Sequence, residues 1–582
     1  MLVRDNWTNL NGPWDFAIDA EARVHDSADV KWNRKILVPF APETPTSGVN
    51  ETGYFKRVWY RRGFESPREI GRGKRVSLHF GAVDHSAKVW VNDQLVVAHE
   101  GGYTPFCADI TDALDSRSRK QVIVVRADDD PHDLCKPRGK QDWKPDAHSI
   151  WYPRTTGIWQ TVWMEVVPAI RIGSVEWEPE VTRSSMRCHV RLAGELPSED
   201  ELPPRVRVKL TFGEQTLADD TYDAPRGEVT RTIILGDSTV EDFNIEFLWT
   251  PDHPHLIDAE VELFENRDAT RPIDRVKSYC AMRSVDIEGD RFTLNRRPVY
   301  LRLALDQGYW QESGLTAPDD AALRRDVELA KEMSFNGVRK HQKIEDPRFL
   351  YWADRLGLMV WEECPSPYRF DPLATERTAR LWTEAIRRDR SHPCIVCWVP
   401  FNESWGVPDL TTARPQRDLV RAMYYLTKSL DPTRPCVGND GWEAVVGDFV
   451  AIHDYERDPE RLLKRYDISD ADLQQLFRRQ RLGGRVLLTP DYKFEYGPVL
   501  LTEFGGIAFS DDPQAWGYTR AKSKEQLADE FSRLLAAVRA VPIFGGFCYT
   551  QFTDTYQEAN GLLKMDRRPK IPIEAIRAAV AG

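Results

Sequence analysis

Two glutamates stand where apolar runs break off. In "VPFNESWG" (399–406) the run ends in Asn402, Glu403 and Ser404, and in "LLTEFGG" (500–506) a second run ends in Glu503. A carboxyl pair held face to face is what hydrolysis of a glycosidic bond requires. One carboxylic acid protonates the departing oxygen while the other, as a carboxylate, stabilises or attacks the anomeric carbon. A gap of about 5 Å permits direct attack and retention of configuration. A single strand-end glutamate reads equally well as a framework carboxylate salt-bridged at a rim. Two of them, one after Asn and one before Phe-Gly-Gly, favour a site.

The elements that position them begin near residue 286. Upstream, "RVSLHFGAV", "AKVWVNDQLVVAHE" and "KQVIVVRADDD" alternate apolar and polar residues, with Asn92-Asp93 where a tight hairpin turns. A composition shift near 168 divides this all-β part into two sandwich-like units, and "GELPSEDELPP" (194–204) reads as a loop in the second. After 286, helical periodicity alternates with short buried strands. The helix with Leu323, Val327, Ala330 and Met333 follows a Pro-Asp-Asp start, and Ser523 caps the helix carrying Leu527, Phe531, Leu534 and Val538. Eight β–α units in this stretch predict a (β/α)8 barrel. The rival, a doubly wound sheet, expects a Gly-rich phosphate loop that "LRLALDQGYW" lacks. Glu403 then ends the fourth strand and Glu503 the seventh, on opposite sides of the active-site face. The expected organisation is 1–168, a jelly-roll β-sandwich; 169–285, an immunoglobulin-like β-sandwich; and 286–582, the barrel.

Composition removes other classes. The 582 residues carry a formal net charge of −12, which disfavours partners that need a basic face, so neither nucleic acid nor membrane is expected. The 9 scattered cysteines fit free thiols, and Cys394 and Cys397, the single CxxC pair, read as buried structural residues. With no apolar leader at the start, a cytoplasmic location is expected.

"FNESWG", "LLTEFGG", "NGVRKHQKIEDPRFLYWADRLGLMVWEE" and "GLLKMDRRPK" resemble glycoside hydrolase family 2, the β-galactosidases, β-glucuronidases and β-mannosidases. "VWVNDQLVVAHEGGYTPFCADIT" and "TTGIWQTVW" are similar to that family's N-terminal jelly roll, and "LWTPDHPHL" to the end of its middle domain. The resemblance implies that Glu403 is the acid/base, Glu503 the nucleophile and Asn402 the amide on the sugar 2-hydroxyl. It implies that Tyr455 hydrogen-bonds the nucleophile, and that Arg339 and His341 line the substrate site. A compact retaining exo-β-glycosidase follows, with surfaces for the dimerisation common in the family, acting on a carbohydrate substrate without a cofactor.

Departures from the family pattern bear on the sugar. Asp306, Gln307 and Trp310 occupy the region after the first strand, and Lys340-His341-Gln342-Lys343 replaces a Ser-His-Tyr-Pro stretch. "WEECPSPYRF" offers Glu362 and Glu363 without the histidine of a Mg²⁺ site, so no metal is expected. Where family glucuronidases carry Asn-x-Lys, this chain has Glu558 and Asn560, and Glu558 would repel a uronate. A neutral, β-galactosidase-like sugar is therefore expected, although Lys340, Lys343 or Lys564 offer a different carboxylate clamp. β-Glucuronidase, β-galacturonidase or β-mannosidase activity is the alternative, and a non-catalytic carbohydrate-binding protein is the alternative of another class. The eighth strand offers Tyr549 and Phe552 as sugar-stacking aromatics, with Trp310, Trp405 and Trp442 at other strand ends. Glu503, ionised beside Tyr455 and Arg339, is expected to raise the pKa of Glu403.

Overall fold

The computed structural model describes every residue except Met1, Glu69, Arg72, 199–200, 236–246, 468–469, 480–483 and Tyr496. The 194–204 loop therefore lies partly outside the described residues.

Two antiparallel sheets form the N-terminal sandwich. One has six strands, with Arg34–Val38 at one edge and Gln94–Glu100 at the other, and the other has four, including Lys74–Phe80 and Val162–Pro168. They close over Trp14, Phe16, Leu78, Val89 and Val125. Val91 pairs with Gln94 across a two-residue turn in which Asn92 and Asp93 take φ of 47° and 66°, the left-handed geometry such a hairpin demands. A second sandwich, of three and four strands, runs from Arg171–Glu180 to Asp274–Cys280 around Trp177, Val208 and Val261.

Seven parallel strands make the barrel sheet: Leu301–Asp306, Gly337–Lys340, Met359–Glu363, Ile395–Val399, Val450–His453, Val499–Gly505 and Phe544–Thr550. All five residues of Ile395–Val399 and all seven of Val499–Gly505 are buried, as expected of strands covered on both faces. The gap in the ring is filled by 436–440. Cys436 and Asp440 form isolated parallel bridges with Trp398 and Asn402, and on the other side the Gly441 carbonyl accepts from His453 N–H at 3.2 Å. The eight-unit reading needs one correction. Among the described residues no helix separates 440 from Val450, whereas two, Pro459–Tyr466 and Asp470–Arg478, follow the sixth strand. The segment "GNDGWEAVVGD" is too short and too glycine-rich for a helix. Gly441 sits at φ 101°, and a Cβ there would meet the His453 ring at 2.6 Å.

Between strand Lys120–Asp128 and the next short strand at Gly157, the first sandwich sends a long loop onto the barrel mouth. Arg138 and Gly139 N–H both donate to the Ser366 carbonyl at 3.2 Å, and the Tyr368 hydroxyl donates to the Gly139 carbonyl. Gly139 has φ 61°, and a Cβ would fall 2.3 Å from the Gln342 carbonyl oxygen, so no other residue fits without displacement.

Candidate active site

The fourth strand runs out at Val399, and the chain turns sharply through Glu403 and Ser404, at φ 52° and 60°. Left-handed backbone at two successive non-glycine residues must be held from outside. Here Glu403 N–H donates to the Asp440 carbonyl at 2.9 Å, Ser404 N–H to Asn439 Oδ1 at 3.0 Å and Ser404 Oγ to Glu443 Oε2 at 2.6 Å. The turn directs the Glu403 carboxyl at His453.

Glu403, His453 and Glu503 converge so that one ligating atom from each lies within 4.8 Å of the others. His453 Nδ1 is 2.8 Å from Glu403 Oε1, and Nε2 is 2.7 Å from Asp440 Oδ1 and 3.5 Å from Glu503 Oε1. With a carboxylate on each ring nitrogen the imidazole carries both protons. Burial alone would neutralise it, but Glu503, Asp440 and Glu403 outweigh burial and push its pKa up to about 10.

Glu503 is held by the Tyr455 hydroxyl, which donates to Oε2 at 2.6 Å, and by Arg339 Nη1, which donates to Oε1 at 3.0 Å. Arg339 is fully buried and divides its fork further. Nη1 also reaches the Thr502 carbonyl at 2.9 Å, Nε pairs with Glu363, and Nη2 donates to Asn402 Oδ1. Asn402 Nδ2 is consequently buried without a partner, a donor left for something that enters the mouth.

The raised pKa expected at Glu403 is not what its surroundings produce. Burial raises its pKa, yet the hydrogen bond and charge of His453, with the charges of Lys140 and Arg339, hold it below the ordinary carboxyl value. The proton of the Glu403–His453 pair rests on the imidazole, and the two titrate as a unit.

The family model for the glycosyl hydrolases family 2 TIM barrel domain matches residues 285–581, more than half of the chain, and that for the family 2 sugar binding domain matches 7–134. The chain belongs to glycoside hydrolase family 2. A β-galactosidase of Thermoanaerobacter pseudethanolicus is 28% identical over 412 residues, 69% of this chain and 51% of that protein. The chain thus spans about half the length of that relative. The β-glucuronidase of Rattus norvegicus is 23% identical over 561 residues, 87% of this chain and 78% of the rat protein. A Bifidobacterium dentium β-glucuronidase solved with coumarin-3-O-glucuronide superposes with a TM-score of 0.78 at 22% identity, covering 100% of this chain and 98% of that one, which establishes the shared fold.

Within this family-2 barrel, Asn402, Glu403, Glu503, Arg339 and Tyr455 come together, and the other residues singled out in the sequence differ in how close they lie to that group. His341 lies 3.0 Å from Glu363 without hydrogen-bond geometry, and burial, followed by the charge of Lys140, keeps it neutral. Glu558 is at the mouth, accepting from the Tyr152 hydroxyl at 2.5 Å and from Asn560 Nδ2 at 2.9 Å. Asp306 is spent on Lys340 Nζ at 2.7 Å and Gly308 N–H at 2.9 Å. Trp310 packs between Lys343 and Arg567, whose cations lie 5.3 and 4.7 Å from its ring centre. Tyr549 is turned outward: its ring packs edge-on against Phe504 and Phe531, the latter on helix Lys524–Ala540, so it does not face the barrel mouth. Lys340 and Lys343 are not free clamps, since Lys340 is also 2.6 Å from Glu345 and Lys343 is satisfied by Glu345, Gly308 and Leu315. Lys564 is exposed.

Sequence reasoning missed His453, Asp440, Lys140, Tyr152 and Tyr518. Tyr518 stacks on Tyr455 with ring centres 3.4 Å apart and steadies the tyrosine that holds Glu503. His453 was discoverable, being two residues before Tyr455 at a strand end. Lys140 and Tyr152 arrive from another sandwich and leave no local signal.

Proposed function

We propose that the chain is a retaining exo-β-glycosidase that removes a neutral terminal sugar by double displacement. The approach of Glu403 and Glu503 oxygens to within 4.8 Å carries this reading, because it fits the short carboxyl separation of direct carboxylate attack and not the wider gap that places an attacking water opposite the leaving group. Glu503, hydrogen-bonded by Arg339 and Tyr455, attacks the anomeric carbon as a carboxylate. Glu403 passes the proton it shares with His453 to the departing oxygen, and then accepts a proton from the water that releases the sugar. Asn402 Nδ2 is placed to donate to a glycone hydroxyl. The loop from the first sandwich covers one side of the mouth, which favours a pocket for one terminal residue over an open groove.

The neutral sugar is supported by Glu558 at the mouth and by the commitment of Lys340 and Lys343 to Asp306 and Glu345. β-Galactosides are the first candidates, in keeping with the name of the Thermoanaerobacter relative. A β-uronidase is the second reading, supported by the β-glucuronidase names of the rat and Bifidobacterium relatives. A panel of p-nitrophenyl β-galactoside, β-glucoside, β-mannoside, β-glucuronide and β-galacturonide separates the two readings. The first product anomer, followed by proton NMR, is expected to be β; an α product rules out double displacement.

The Glu403–His453–Glu503 trio is compact enough to hold a cation, but both His453 nitrogens are turned to carboxylates and have no lone pair to give. Dialysis against EDTA is expected to leave turnover unchanged. Loss of activity restored by Mg²⁺ would show instead that His453 is neutral and ligates.

A further inference from the structure

We propose that Lys140, carried into the barrel mouth by the first sandwich, reads the glycone by donating hydrogen bonds from its ammonium to sugar hydroxyl oxygens. The inference rests on the glycosidase reading above and adds a residue that the barrel itself does not contain.

Lys140 is 6% exposed. Its carbonyl accepts from Tyr152 N–H at 2.9 Å, and Tyr152 is tied through its hydroxyl to Glu558, so the backbone that bears it is fixed to the mouth. The neighbouring Gly139 is pressed on Gln342 and Ser366. The side chain runs over Trp151, with Nζ 4.8 Å from the ring centre. Among the described residues, no carboxylate comes within ion-pair distance of Nζ and no acceptor bonds it. The other buried cations of this region, Arg339, Lys340 and Lys343, each have several partners.

Burying an ammonium with its donors unmet destabilises a fold, and is tolerated where a ligand completes the set. Lys140 acts through its charge on Glu403, Glu503, Glu558 and Glu363, which places it among the carboxylates that frame the glycone position. Those four carboxylates also select the ligand chemistry. A sugar carboxylate brought to Lys140 would enter the same negative field, whereas a hydroxyl oxygen accepts the hydrogen bond without adding charge.

The experiment compares the wild-type chain with Lys140→Met, which keeps an unbranched four-atom stem beside Trp151 and removes the ammonium. The melting temperature of the variant is expected to equal or exceed that of the wild type, since an unpaired buried charge has been removed. On the best neutral glycoside of the panel, KM is expected to rise about 10- to 100-fold, the equivalent of a charged hydrogen bond, with a smaller change in kcat. The inhibition constant of the free monosaccharide should rise in parallel, a change that loss of a purely structural contact would not produce. An unchanged KM and inhibition constant overturns the inference, as does a loss confined to the two uronides. If the wild type cleaves nothing, the glycosidase reading fails. Lys140 is then judged by calorimetric titration with galactose, glucose and mannose, where equal binding by both proteins, or none, overturns it.

Discussion

Glu503→Gln is expected to lower kcat/KM by about 10⁴-fold or more on every glycoside the wild type cleaves, because an amide oxygen cannot form the glycosyl ester. The substitution is nearly isosteric. The Tyr455 hydroxyl can still donate to the amide oxygen, and Arg339 keeps Glu363, Asn402 and the Thr502 carbonyl. The fold should therefore persist, and circular dichroism and melting should change little. Glu403→Gln gives the contrasting result. With a p-nitrophenolate leaving group the first step needs little protonation, so a glycosyl-enzyme forms and then waits for a base to activate water. Intact mass spectrometry of Glu403→Gln with substrate should show one added glycosyl unit, and Glu503→Gln should show none. Retention of a tenth of wild-type activity in Glu503→Gln, or a glycosyl adduct on it, would remove Glu503 from its role.

Legibility from sequence followed the range of the interactions. Asn402, Glu403 and Glu503 could be read because each ends a continuous apolar strand, a pattern written in five to seven consecutive residues. Tyr455 and Arg339 were legible only through the family resemblance, since Arg339 lies inside its strand and no apolar run ends on it. The parity of the eighth strand was not. Thr550 Oγ1 lies 3.2 Å from the Tyr455 hydroxyl, which fixes Thr550 as inward and its neighbour Tyr549 as outward, and only the folded register shows it. Asp306 and Lys340 each read as free polar groups, although their meaning lies in pairing with one another and with Glu345. The reversed pKa of Glu403 has the same origin. With Glu503 alone as neighbour the carboxyl would be raised, and the unseen His453 reverses the sign. Lys140 marks the limit: its loop has no periodicity, and its place at the mouth is set by contacts with Ser366, Tyr368 and Gln342, more than two hundred residues away in the chain.

His453→Asn is expected to move the basic limb of kcat/KM towards acid by more than one pH unit. The groups facing the imidazole are Glu403, Asp440 and Glu503, with Arg339 behind them and Trp442 edge-on at 5.6 Å. Three carboxylates against one guanidinium keep the ring cationic up to a pKa of about 10, so the Glu403–His453 pair retains a proton through neutral pH. Asparagine preserves a donor of similar size but removes that charge. Glu403 then holds the proton itself, and burial together with the charge of Glu503 raises its pKa above the ordinary carboxyl value of about 4.3, though not to that of the pair. Activity at pH 8 should fall about 100-fold and activity at pH 5 by less than tenfold, the scale of general acid catalysis lost and kept. Stability must follow the same sign. A histidine whose pKa is raised on folding stabilises fully below its unfolded value of about 6.5, and this contribution disappears as pH rises through about 10. The melting temperature of His453→Asn should therefore fall furthest below wild type at pH 6 and converge with it above pH 10. Coincident pH–rate limbs for the two proteins would mean that Glu403 keeps its own proton without His453. A constant melting difference across the range would mean that His453 is neutral, and that Asp440 and Glu403 are held apart by something other than its charge.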